Sequence, residues 1–96
     1  MKFVVHAYDY TDSEALNRRM SVRPNHFDIV RELKDAGHFI LGGALLSPDD
    51  KMIGSMMVLE FESEAKLHEL WLDHEPYVVG KVWEKIDIKP FRQAQV

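Results

Sequence analysis

His26 is the side chain best placed to move a proton, and Arg19 and Arg23 put two cations in the turns before it. Imidazoles as a class exchange protons near neutral pH, so modest changes of environment make them donors or acceptors. At about 100° per residue, a helix brings His26 into line with Ile29, Val30 and Leu33, on a face that points into the core. A position that needs only to pack would carry Leu or Ile. A histidine there must meet a partner, a solvent-filled cleft or a ligand. The plainer alternative is a core histidine bonded to a backbone carbonyl. The same geometry projects Arg19, Arg23 and His26 within about 60° of one another. Two guanidinium groups beside an imidazole suit a small anionic or polyoxygenated ligand, because Arg meets a carboxylate through two parallel hydrogen bonds. The competing expectation is that both arginines are solvated or paired with acids such as Glu14 or Asp73.

A second cluster, Asp73-His74-Glu75-Pro76-Tyr77, ends a helix at a proline turn. A carboxylate here can hold His26 in one tautomer and raise its basicity, as the acid of a catalytic triad orients its histidine. The alternative is an acidic, solvated helix end, which the helix dipole disfavours by a few tenths of a kcal/mol. The five histidines form no metal pattern. His68 and His74 stand six apart, on different sides of a helix, while His6, His26 and His38 belong to different elements, so no metal or other cofactor is expected. No glycine-rich phosphate loop or nucleophile elbow occurs. Ser55 follows Gly54 in a strand, with no neighbouring base to mark it as a nucleophile.

The elements that must position these groups follow in order. Lys2 to Tyr10 reads as a strand, with Phe3, Val5 and Ala7 on one face and Val4, His6 and Tyr8 on the other. Thr11, Asp12 and Ser13 offer an N-cap to a helical region over Glu14 to Ala36. Pro24 either starts a new segment or kinks a longer one, and Gly37 closes it. His38 to Leu46 and Met52 to Phe61 form a hairpin across the turn Ser47-Pro48-Asp49-Asp50, and Gly42-Gly43 suggests a bulge or a close backbone approach. Ser63 caps a second helix with Leu67, Leu70 and Trp71 on one face, stopping near Glu75 because Pro76 disfavours the α conformation before it. Val82 to Phe91 is the last strand. The order βαββαβ is the ferredoxin-like pattern, an α+β fold with a four-stranded antiparallel sheet and two helices on one face.

Ninety-six residues make one domain, residues 1–96, with a thin core. Phe3-Val4-Val5, Phe39-Ile40-Leu41 and Met56-Met57-Val58-Leu59 are apolar on both sides of their strands, yet two helices cover one side. A homodimer with sheets face to face is the expected remedy: at about 25 cal/mol per Å², a few hundred Å² of apolar burial contributes several kcal/mol before association costs. A net charge of -4 with no basic block argues against nucleic acid. The chain has no cysteine, which excludes disulfides and thiolate catalysis and suits the cytoplasm. The first apolar run is too short for a secretory leader, and no stretch approaches the roughly 20 apolar residues that span a bilayer.

Arg23-x-x-His26, Gly43, Gly54-Ser55, Pro76-Tyr77 and Lys89-Pro90-Phe91, in this order and spacing, resemble the YCII-like family over nearly the whole length. The resemblance implies a ferredoxin-like dimer, related in architecture to muconolactone isomerases and small dimeric α/β-barrel proteins. It also implies a cleft in which a histidine and an acid work together in acid–base chemistry. The histidine falls on His26. The acid before the Pro-Tyr turn is an aspartate in the family and Glu75 here, with Asp73 as the alternative. Substrate contacts are expected from Arg23, Arg19, Ser55 and Tyr77. The activity expected is cofactor-independent isomerisation or elimination on a small oxygenated molecule. The alternative is a non-catalytic dimer that binds a metabolite or partner in the same cleft.

Overall fold

The computed structural model describes residues 1–96. Strand β1 (Lys2–Asp9) leads into helix α1 (Ala15–Asp35), followed by the hairpin of β2 (Phe39–Leu46) and β3 (Met52–Glu60). Helix α2 (Glu64–Leu70), a 3-10 turn at Leu72–His74, the short helix α3 (Pro76–Val79) and strand β4 (Trp83–Phe91) complete the chain. The sheet order is β2-β3-β1-β4, and every neighbouring pair is antiparallel. This is the expected α+β, ferredoxin-like arrangement. No helix is long and apolar enough to cross a membrane.

Alternation in β1 sends Phe3, Val5 and Ala7 to the helix side, where they meet Leu59, Met57 and Ser55 across β3. Leu33 of α1 and Leu67 of α2 close over them, with Trp71, Tyr77 and Trp83 filling the far end of the core. Gly54 lets β1 and β3 approach at the end of this ladder: a Cβ there would lie 2.4 Å from the Ala7 carbonyl oxygen. Its neighbour Ser55 is thereby held on the helix side of the sheet.

Of the two alternatives for Pro24, the longer helix holds: α1 runs through it for 21 residues and loses the N–H that would meet the Met20 carbonyl, while two other local expectations change. The helix starts at Ala15 without a side-chain cap; Asp12 instead accepts from the Glu14 N–H and from Arg18. The second helix stops at Leu70, five residues short of Glu75, and the chain turns twice before Tyr77. Ser63 caps α2 as expected, accepting from the Lys66 N–H.

The opposite sheet face has a gradient. Cross-strand register sets Leu41, Val58, Val4 and Lys89 in one row, and Gly43, Met56, His6 and Asp87 in the next. The β2–β3 half is therefore apolar, with Leu41 48% exposed. The β4 half is charged, and Lys89 pairs with Asp87 at 2.8 Å.

A candidate acid–base site

Heptad spacing puts Ala15, Arg19, His26 and Leu33 on the buried side of α1, so the helix carries a cation and an imidazole where it would otherwise carry aliphatics. Each has found a carboxylate. His26 Nδ1 bonds Glu75 Oε1, and Arg19 Nη1 donates to both oxygens of Asp9 at 3.0 and 3.1 Å.

Glu75 is placed by the residue that follows it. Pro76 drives Glu75 into extended backbone (φ -64, ψ 124) and begins α3, so Glu75 becomes the N-cap of that helix. The expectation of an acid at an unfavourable helix C-terminus is thus reversed, because the carboxylate sits at an N-terminus and accepts from the Tyr77 N–H at 3.2 Å. Its second oxygen accepts from Trp71 Nε1 at 2.7 Å. The side chain is fully buried. Indole and amide N–H groups can only donate, so this carboxyl accepts two of its three bonds; against an ionised carboxylate the third is also accepted, with the proton on His26 Nδ1. Nε2 then carries the lone pair. It makes no bond within the protein and keeps contact with solvent, although the residue as a whole is 7% exposed. Asp73, the alternative partner, is exposed on the 3-10 turn and does not reach the imidazole.

Aromatic rings fix the imidazole plane. The Tyr77 ring stacks on it at 4.0 Å and 15°, and Trp83 meets it edge-on at 6.2 Å. The Arg19 guanidinium lies 4.7 Å from the centre of the Tyr77 ring. Burial raises the Tyr77 phenol above its ordinary value, and the Arg19 and Arg23 charges pull it back only in part. Its hydroxyl is buried and has no hydrogen-bond partner.

Arg19, Arg23, His26, Ser55 and Tyr77 line one cavity of about 150 Å³, floored by Gly42, Gly43 and Met57. The two arginines divide in role. Arg19 is 3% exposed and its charge is matched by Asp9, not by Glu14 or Asp73. Arg23 has no ion pair; it stacks 4.5 Å from the Phe27 ring and leaves its charge to the cavity. Burial raises the Asp9 pKa although Arg19 opposes the shift. Ser55 Oγ accepts from Arg19 Nη2 at 2.8 Å and from Trp83 Nε1 at 3.3 Å.

The sequence reading missed Asp9, Trp71 and Trp83. Asp9 had a signal: it continues the Phe3-Val5-Ala7 parity, so a charge stands in core register opposite a buried arginine. Trp71 lies four residues before Glu75, but the break after Leu70 hides their proximity.

The comparisons with known proteins agree with this architecture. Residues 1–92 match the model of the YCII-related domain. The protein YciI of Escherichia coli O6:H1 is 34% identical over 100 residues, spanning 98% of this chain and 99% of YciI. A protein of Haemophilus influenzae is 25% identical over the same shares of both chains. Among solved structures, 5-chloro-2-hydroxyhydroquinone dehydrochlorinase (TftG) of Burkholderia phenoliruptrix, in complex with 2,5-dihydroxybenzoquinone, superposes with a TM-score of 0.83. The match covers 98% of this chain and 96% of TftG at 20% identity, a likeness of fold. Over all but its last four residues, then, the chain belongs to the YCII-related domain family.

Proposed function

We propose that this protein is a small homodimeric, cofactor-independent acid–base enzyme of the cytoplasm. In this reading His26 Nε2 removes or returns a proton on a small oxygenated anion, in an isomerisation or an elimination. The observation that carries the reading is the buried Glu75 carboxylate. It accepts from Trp71 Nε1 and the Tyr77 amide and bonds His26 Nδ1, and His26 lines the cavity; in this reading the carboxylate orients the ring and leaves Nε2 to act as the base. A base must be within hydrogen-bond reach of the proton it takes, and a locked ring meets that requirement without reorganisation.

Size and charge narrow the ligand. A cavity of about 150 Å³ matches one that takes up a benzene-sized molecule. Arg23 supplies a cation with no protein anion, which favours a carboxylate, phenolate or enolate. TftG, of the same fold, is a dehydrochlorinase held with a single oxygenated ring, so this architecture is compatible with chemistry on such molecules. The apolar β2–β3 half of the open sheet face supports the homodimer.

The test is a thermal-shift screen of small carboxylates, lactones and phenols, followed by turnover of any stabilising compound. Glu75→Gln is expected to lower kcat by about 10²–10⁴-fold with little change in KM, since it removes the group that orients the base. Binding of the compound with no turnover of it or its relatives would favour a receptor over an enzyme.

A further inference from the structure

One hydroxyl group of the cavity lining, that of Ser55, has hydrogen-bonding capacity that the protein leaves open. A serine hydroxyl has two acceptor positions and one hydrogen. Both acceptor positions of Ser55 Oγ are occupied, by Arg19 Nη2 at 2.8 Å and by Trp83 Nε1 at 3.3 Å. Tetrahedral geometry therefore sends the hydrogen away from both donors. Ser55 lines the cavity and is 3% exposed, and its hydroxyl donates to no protein acceptor. Donation from a buried guanidinium polarises the O–H and makes it a stronger donor. Tyr77, whose ring lines the same cavity, has its own hydroxyl sealed within the protein and without a partner, so Ser55 is the donor a ligand can meet.

The geometry points to an oxyanion site at the Ser55 hydroxyl, with Arg19 and Asp9 as positioning residues that act through Ser55. Arg19, expected from sequence to touch the ligand, instead sets the direction of a donor that does. The ligand class follows: a planar single-ring or short-chain carbonyl compound with an acidic C–H next to the carbonyl. His26 Nε2 takes that proton; the C–H bond breaks and an N–H bond forms. The electron pair moves into a new C=C bond as the carbonyl becomes an enolate oxygen, which the Ser55 hydroxyl receives. Donors aimed at developing charge are worth most where water is excluded. This step rests on His26 being the base, but the donor site itself does not.

4-Nitrophenol separates the two ideas. Its phenolate mimics the enolate oxygen and absorbs where the neutral phenol does not, so a titration reads its pKa while bound. Wild-type protein is expected to lower that pKa. Ser55→Ala should raise it by about one unit or more, an approximately tenfold or larger loss of preference for the anion. Ser55→Thr, which keeps the hydroxyl, should retain the lowering, and Arg19→Lys should lose part of it. Ser55→Cys, a weak donor in nearly the same space, covers the case in which Ser55→Ala does not fold. His26→Ala should keep the dependence on Ser55 while abolishing turnover. An equal lowering in wild type, Ser55→Ala and Ser55→Cys overturns the oxyanion site and leaves the His26 base standing. Wild-type protein that binds only the neutral phenol, or none, also overturns it. Turnover that survives His26→Ala, with the Ser55 dependence intact, sinks the base and spares the donor site.

Discussion

Glu75 shows how one carboxylate can lose all contact with water and remain useful. Moving an ion into the interior costs several kcal/mol. Three N–H donors return about 1.5–3 kcal/mol each when the acceptor is charged. Every one of them also fixes a direction: Trp71 and the Tyr77 amide hold the carboxylate, and the carboxylate holds His26. Tyr77 obeys the opposite rule. Its hydroxyl is buried without a partner, a local cost with no return in the ligand-free protein. Tyr77→Phe is therefore expected to leave the melting temperature unchanged or raise it slightly. A melting temperature several degrees lower, measured by calorimetry, would show that the hydroxyl is bonded after all. Because burial raises this phenol above its ordinary value, it keeps its proton through the neutral range.

At the level of elements, what could be read in advance followed periodicity, and what could not depended on chain breaks. The buried face of α1 was legible because its 3.6-residue period survives Pro24, so Arg19, His26 and Leu33 stayed in line. The strands were legible from alternation, and Asp9 could have been found by extending that alternation one step. The choice between Glu75 and Asp73 was not legible. It depends on the chain leaving α2 at Leu70 and re-entering a helix at Pro76, which turns one acid inward and leaves the other in water. The entry to α1 carries its own pH dependence. The Arg18 guanidinium grips Asp12 and holds its pKa at about 2, below the ordinary 3.8. A carboxyl lowered on folding contributes stability above its unfolded value, lost as pH falls from about 4 toward 2. Asp9, raised by burial, contributes with the opposite sign as pH falls. Comparing wild type with Asp12→Asn isolates the first effect: the variant should lose less stability between pH 4 and pH 2 in denaturant titrations. Parallel acid limbs would show that the Asp12–Arg18 pair does not contribute to folding.

For the whole molecule, the sheet is the common boundary of two surfaces. One side holds the core and the cavity. The other runs from Leu41, Val58 and Met56 to Lys85, Asp87 and Lys89. An interface on the apolar half would cover Leu41 and the half-buried Met56, with the charged half as a polar rim; Val58 is already buried in the single chain. If the proposed dimer forms on this face, Leu41→Asp is expected to shift it to monomer in sedimentation equilibrium, because the variant desolvates a charge at the contact. A dimer of unchanged affinity would move the contact elsewhere.

The most direct measurement is the tautomer of His26, read from the long-range nitrogen–proton NMR spectrum of its ring at neutral pH. The account predicts a proton on Nδ1 and a bare Nε2 in the wild type, with that preference lost in Glu75→Gln. A ring protonated at Nε2 with Nδ1 bare, or one whose tautomer ignores the loss of the Glu75 charge, would contradict it.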